Sequence, residues 1–161
     1  SEGAVVYDVG SGTGSVAVEM AGLSGTIAVY AIEQKEEAVS LIERNKEQFG
    51  LPNLHVVNGK APEALETLPI PTHAFIGGSS GQLREILDCL YKKNPQMRVV
   101  LNAISLETIS ELKELLTQFR VTEEELVQVQ VNRMKPVGSY HLMQAENPVW
   151  ICSFQFNACE K

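Results

Sequence analysis

Short apolar runs alternate along this chain with segments of helical period, regularly enough to lay out most of a fold. AVVYDV (Ala4 to Val9) and TIAVYAI (Thr26 to Ile32) read as strands buried on both faces, separated by a helix from about Thr13 to Ala21. KEEAVSLIERNKEQF (Lys35 to Phe49) places Ala38, Leu41 and Ile42 on one helical face, and Gly50 with Pro52 ends it. LHVV (Leu54 to Val57) and HAFI (His73 to Ile76) predict two more strands, with a short helix from Pro62 to Leu68 between them. A helix from about Gly81 to Lys92, the strand RVVLNA (Arg98 to Ala103) and an amphipathic helix from about Leu106 to Phe119 follow.

Apolar strands linked by helices predict a parallel sheet covered on both faces through right-handed crossovers. The end of the chain departs from that rhythm. ELVQVQVNRM (Glu125 to Met134) and SYHLMQAENPVWICSFQF (Ser139 to Phe156) are joined by the turn KPVG with no helix between, so they must pair antiparallel. Seven strands result, and the sheet finishes in a hairpin. Its two long arms exceed the ~5–6 residues of a usual strand, so part of the ribbon is expected to project beyond the sheet. A projecting unpaired edge invites association between copies, whereas Pro148 marking a bulge or an edge would make the ribbon merely bent.

Composition narrows the class. At 161 residues the chain makes one domain, 1–161, with no internal repeat, linker or low-complexity stretch. Twenty acidic against 13 basic side chains give a formal charge of −7. That removes any diffuse positive field for a phosphate backbone and argues against nucleic acid as partner. Cys89, Cys152 and Cys159 form no CxxC pair, which points to a reduced cytoplasmic setting without a metal site. No apolar run approaches the ~20 residues of a membrane span, and no basic-then-apolar leader opens the chain. Only Ser1, Glu2 and Gly3 precede the first strand, an abrupt start that suits a piece of a longer polypeptide.

The chemistry concentrates in YDVGSGTG. Gly10, Ser11, Gly12, Thr13 and Gly14 spell GxGxG, whereas a nicotinamide loop would place its third glycine where Ser15 stands. Glycines let the backbone turn sharply and approach a ligand, and the helix that follows offers free N–H groups to a carboxylate or phosphate. Asp8, just before the turn, would repel a pyrophosphate but can help hold an ammonium group. Glu33 ends the second strand about 20 residues on, where a ribose-binding carboxylate belongs. An aminocarboxylate, a sulfonium and a ribose satisfy all of these at once, a pattern that resembles the Rossmann-like S-adenosylmethionine-dependent methyltransferases. A nicotinamide oxidoreductase fits less well, and glycines that merely shape a strand–helix connection are the plain alternative.

NGKAPEALETL (Asn58 to Leu68), FIGGSSGQLREIL (Phe75 to Leu87), LNAISLETI (Leu101 to Ile109) and SYHLMQAENPVWI (Ser139 to Ile151) sharpen the match. Together they resemble the decarboxylating precorrin-6Y methyltransferase family of cobalamin biosynthesis, both the free-standing protein and the C-terminal domain of the fused enzyme, from about Val5 to Phe156. The resemblance implies an α/β Rossmann-like fold with a mostly parallel seven-stranded sheet ending in an antiparallel hairpin. It implies S-adenosylmethionine as donor and a reduced, carboxylate-bearing tetrapyrrole as acceptor. It further implies a homotetramer built through the hairpin, a possible fusion to a second tetrapyrrole methyltransferase domain, and an N-terminal helical segment that this chain lacks. By the resemblance, donor contacts would come from Gly10 through Gly14, from Glu33 on the ribose and from Ala61 near the adenine; Asp8 joins them by its place before the turn, and Lys60 and Gly77 by their place on the same rim. Lys60 and His73 depart from the family, which carries Asp before the alanine and often an acidic residue at the start of the fourth strand.

Ligands in such sheets lie at the carboxyl ends of the parallel strands, so Gly78, Ser79, Ser80 and Asn102 should share that rim. The hairpin turns at the same end, which brings in Arg133, Lys135, Tyr140 and His141. Arg133 and Lys135, with His141 next, are candidates to receive substrate carboxylates, or else they are solvated rim charges. Ser79 and Ser80 can bond a carboxylate, though capping the following helix is the commoner use of such serines. An electron-rich macrocycle supplies its own carbon nucleophile, so no strong base is required and no catalytic residue is assigned. Tyr140 and His141 are the candidates for delivering a proton. An RNA methyltransferase of the same fold and a donor-binding module without activity are the alternatives.

Overall fold

A computed structural model describes residues 3–157; Ser1, Glu2 and Cys159 lie outside them. Five strands run parallel in the spatial order β3-β2-β1-β4-β5: β1 (Val5–Val9), β2 (Ala28–Glu33), β3 (Leu54–Asn58), β4 (His73–Ile76) and β5 (Arg98–Ala103). Their register lines up Val57, Ile32, Val9, Ile76 and Leu101 in one row across the sheet. The residues that follow in each strand therefore emerge on a single rim. This rim is the place where the expected site residues can meet.

Four helices make the crossovers: α1 (Ser15–Leu23), α2 (Glu36–Phe49), α3 (Leu83–Lys93) and α4 (Leu106–Leu116). Helix α2 carries Glu36 and Glu37 in its first turn and Lys46 in its last, each sign matching the macrodipole. It stops at left-handed Gly50, whose N–H reaches the Glu47 carbonyl while Leu51 N–H reaches that of Lys46, a Schellman closure. Helix α4 begins at Ser105, whose hydroxyl accepts from the Thr108 amide. Thr117 and Gln118 turn away after Leu116, so this helix is shorter than the expected run to Phe119. The stretch after Pro62 makes only a 3-10 turn, Glu63–Leu65, rather than a helix to Leu68.

Alternation within the strands sorts the core into two layers. Ala4, Val6, Val29, Ala31 and Leu54 face α1 and α2 through Ala17, Ala21 and Ile42. Tyr7, Val9, Ile32, Ala74, Ile76, Val99 and Leu101 face the opposite side, packed under the Leu83, Ile86, Leu87 and Leu90 stripe of α3 and under Leu112 and Leu115 of α4. The strands beyond α4 add Cys152, Phe154 and Phe156 to that second layer. No helix among the described residues is long and apolar enough to cross a membrane.

The terminal arms form four strands, not two. β6 (Val121–Val129) and β9 (Val149–Phe156) complete the seven-stranded sheet, with β9 antiparallel between β5 and β6. β7 (Asn132–Val137) and β8 (Tyr140–Ala145) pair only with each other, as a ribbon beyond the sheet. Its two-residue turn has Gly138 first at φ 61, the arrangement favoured in tight hairpins. The pairing carries across the gap through Glu146 N–H to the Val131 carbonyl at 2.9 Å, with Pro148, unable to donate, at the break. β6 also starts four residues before the expected Glu125, bulged where Glu123 takes φ 52.

Candidate functional site

A cleft of about 340 Å³ opens at the carboxyl rim of β1, β2, β3 and β4. Its walls include Gly10, Gly12, Thr13, Glu33, Gln34, Lys35, Lys60, Ala61, Gly78, Ser79 and Ser80. Four sequence segments that lie far apart along the chain thus converge, and the register of the parallel strands is what brings them together. The volume lies within the range of small-molecule sites.

Each glycine of the turn has its own reason. The Gly10 and Ser11 amides both donate to the Ile32 carbonyl, tying the turn to β2. Gly10 has φ 69, and a Cβ there would lie 2.4 Å from the Gly78 carbonyl oxygen, so the loops after β1 and β4 touch backbone to backbone. Gly12 also has positive φ, but a Cβ there would meet nothing within 4 Å and would project into open space at the cleft. At Gly14 the neighbour is Ile42 of α2, 2.7 Å from a hypothetical Cβ, so this glycine sets helix packing.

Glu33 is 8% exposed and organises the wall. One carboxylate oxygen accepts from Gly12 N–H at 2.8 Å, and the other accepts from the amides of Gln34 and Lys35 at 2.9 and 3.0 Å. These bonds fix the carboxylate at the rim and leave one of its roughly four lone-pair sites, on the oxygen that Gly12 reaches, for a ribose hydroxyl. The sequence pointed to a ligand-binding carboxylate; that it also holds the glycine turn is visible only in three dimensions.

Asp8 sits beneath the turn, 1% exposed, and does not line the cleft. Its Oδ2 accepts from the Ser11 hydroxyl at 2.6 Å, while Oδ1 is buried without a partner. Burial pushes its carboxyl up to about 6, and the Glu33 charge adds to the rise, while the Ser11 hydroxyl and the Ala17 amide oppose it. The folded pKa thus lies above the unfolded one, so the folded state favours the protonated form. That contribution is complete below about pH 4 and is lost as pH rises through 6, a change on the order of 3 kcal/mol for two pKa units. Thermal melts from pH 4 to 8 should show the wild type losing stability across this window relative to Asp8→Asn. Parallel pH profiles for the two proteins would contradict this account of Asp8.

The GGSSG segment differs from its expected local role. Neither serine caps α3, which starts at Leu83 with Gln82 in the cap position and no side-chain cap bond. Ser80 at φ 49 and Gly81 at φ 76 turn the chain through left-handed conformations first, which delays the helix. A non-glycine residue in that region costs about 1–2 kcal/mol. The Ser80 hydroxyl instead accepts from the Gln34 side chain at 3.2 Å, linking two sides of the cleft. Gln34 and Lys35 are wall residues that sequence reasoning did not single out, although they directly follow Glu33.

The other expected residues are placed apart from this cleft. Gly77 packs against the Gly10 carbonyl, a hypothetical Cβ lying 3.2 Å from it, and its amide donates to the Val9 carbonyl. Asn102 lies in β5, paired with Ile151, and does not line the cleft. Arg133, Lys135, Tyr140 and His141 lie on the exposed ribbon, none of them on the cleft wall. Its pairing puts Arg133, Lys135, Tyr140 and Leu142 on one face, and Met134, Pro136, His141 and Met143 on the other. Arg133 Nε lies 3.4 Å from Glu146. Among the described residues no group of three His, Cys, Asp or Glu side chains is placed to hold a metal ion.

The chain matches the family model described as a precorrin methyltransferase domain over residues 1–155. It is 38% identical over 151 residues to a probable decarboxylating cobalt-precorrin-6B C(15)-methyltransferase of Pyrobaculum calidifontis, covering 92% of this chain and 77% of that protein. The crystal structure of a precorrin-6y C5,15-methyltransferase from Geobacter metallireducens superposes with a TM-score of 0.84 at 33% identity, over 94% of this chain and 78% of the other. That of precorrin 8W decarboxylase from Methanobacterium thermoautotrophicum superposes with a TM-score of 0.80 at 36% identity, over 96% and 82%. The match runs along nearly the whole chain, glycine turn and rim glutamate included: the chain belongs to the precorrin methyltransferase family.

Proposed function

We propose that this chain methylates a carbon of a precorrin-6-type tetrapyrrole and promotes loss of carbon dioxide from an acetate side chain, in the cytoplasmic synthesis of cobalamin. The observation that carries the reading is the cleft itself. It pairs an open glycine turn with a rim carboxylate already oriented by three backbone amides. The donor set fits S-adenosylmethionine: Glu33 keeps a lone-pair site for a ribose hydroxyl, and the Gly12 position leaves space at the wall. Bound there, S-adenosylmethionine supplies an electrophilic methyl group.

The protein's own contribution is placement. Gly10, Gly12 and Gly78 bring backbone close to the ligand, and the apolar walls Val9, Ile32 and Ala38 exclude water around it. The electron-rich ring acts as the carbon nucleophile, and electrons released on loss of the acetate carboxyl pass into the conjugated system. Tyr140 and His141 are candidate proton donors on opposite faces of the ribbon. The defining experiment incubates the chain with S-adenosylmethionine and a precorrin-6-type substrate and reads the product by mass. Gain of a methyl group with loss of carbon dioxide is expected; donor binding without turnover would leave a binding module.

Arg133 and Lys135 share a ribbon face and are our choice for receiving the substrate's carboxylates on a protein of net charge −7. Replacing both by alanine should raise the substrate KM about tenfold, as loss of charge-assisted bonds does, and spare donor affinity. An unchanged KM would make them solvated charges. The ribbon also exposes Met134, Tyr140, Leu142 and Met143 beyond the sheet. We infer that copies of the chain associate through it, as a tetramer. Sedimentation of the wild type against Met134→Glu with Met143→Glu tests this, and an unchanged monomeric mass in both would refute it.

A further inference from the structure

The end of the cleft beyond Glu33 is built from Gly59, Lys60 and Ala61, where the chain leaves β3. If the glycine turn and Glu33 hold the amino acid and the ribose, as proposed above, the base of the donor lies at this end. The apolar residues of the cleft, Val9, Ile32, Ala38, Ala61 and Ile86, suit a flat ring but cannot read its edge. Reading the edge falls to polar groups, and among the lining residues the carboxylate is Glu33 alone. Both oxygens of Glu33 already accept from the Gly12, Gln34 and Lys35 amides, at the ribose position. Lys60 is exposed and ion-paired with none of the described carboxylates.

We propose that Lys60 reads the base of the donor through acceptor atoms, so that the site does not distinguish an amino group from a carbonyl at C6 of the purine. An ammonium donates three hydrogen bonds and accepts none. Toward adenine it can serve N1 or N7; toward the deaminated base, hypoxanthine, it can serve N7 and the C6 oxygen. A carboxylate at the same place would act in the opposite sense, accepting from the adenine amino group and repelling a carbonyl. An acceptor at that place selects adenine, and an ammonium in the same place gives up its part of the selection.

Calorimetry on the whole chain with S-adenosylhomocysteine and S-inosylhomocysteine tests this, using the wild type and Lys60→Asp. The wild type is expected to bind the two with dissociation constants within about threefold of each other, and Lys60→Asp to bind the inosyl compound at least about tenfold more weakly than the adenosyl one. A wild type that already rejects the inosyl compound tenfold, or a substitution that leaves the ratio unchanged, would overturn the proposal. A chain that binds neither compound would instead remove the donor site on which it rests.

Discussion

Glu33→Ala is expected to weaken S-adenosylhomocysteine binding by about tenfold to 100-fold. A ribose hydroxyl donating to the lone-pair site that the amides leave open is worth about 1.5–3 kcal/mol, and that substitution removes the acceptor. It also releases the Gly12, Gln34 and Lys35 amides, which now share the carboxylate at 2.8 to 3.0 Å. Melting should therefore fall as well, by several degrees for about 1–3 kcal/mol in a domain of this size. Calorimetry and thermal denaturation of one protein sample read both effects. Unaltered affinity would remove the ribose role, whatever happened to the melting temperature.

Gly10→Ala is expected to damage the fold itself. The added Cβ would lie 2.4 Å from the Gly78 oxygen and 2.9 Å from its nitrogen, and φ there is 69°. Those neighbours are backbone atoms, so no rotamer change relieves the overlap; the loops after β1 and β4 must part. A loss on the order of 3–5 kcal/mol follows from overlap and left-handed strain together. Gly12→Ala provides the contrast. It meets the same kind of backbone strain, about 1–2 kcal/mol, but its Cβ enters open space, so stability falls less while donor binding suffers. Equal melting temperatures for the two variants would contradict the close approach of Gly10 and Gly78.

These two positions show where the sequence was legible. β1 to β5 stand out as apolar runs because both faces of a parallel sheet are covered, and the crossover helices carry their own periodic stripes. The turn and its glutamate were legible because a short glycine pattern and a fixed spacing encode them. What the turn touches was not. The Gly10–Gly78 approach, the fastening of Glu33 to Gly12 and the Gln34–Ser80 bond join segments 21 to 68 residues apart, and no local pattern records them. GGSSG looked like a helix cap because serine commonly is one; the left-handed turn at Ser80 and Gly81 decided otherwise.

The terminal arms were read in outline only. β6 is an exposed edge strand whose early residues, Thr122 to Glu125, are polar and charged, so its start carries no apolar signal. Its partner arm looked continuous because β-forming residues run through it from Tyr140, yet Pro148 interrupts the ladder and separates ribbon from sheet. The placement of Arg133, Lys135, Tyr140 and His141 follows from that break. They lie on a projecting two-stranded ribbon, which is why their part in binding rests on substrate kinetics and not on the cleft geometry.

The central claim is that the cleft holds a methyl donor. Titrating the whole chain with S-adenosylhomocysteine and, separately, with NAD tests it most directly. Saturable binding of S-adenosylhomocysteine at one site per chain, with none of NAD, is the predicted result; binding of NAD alone would contradict it.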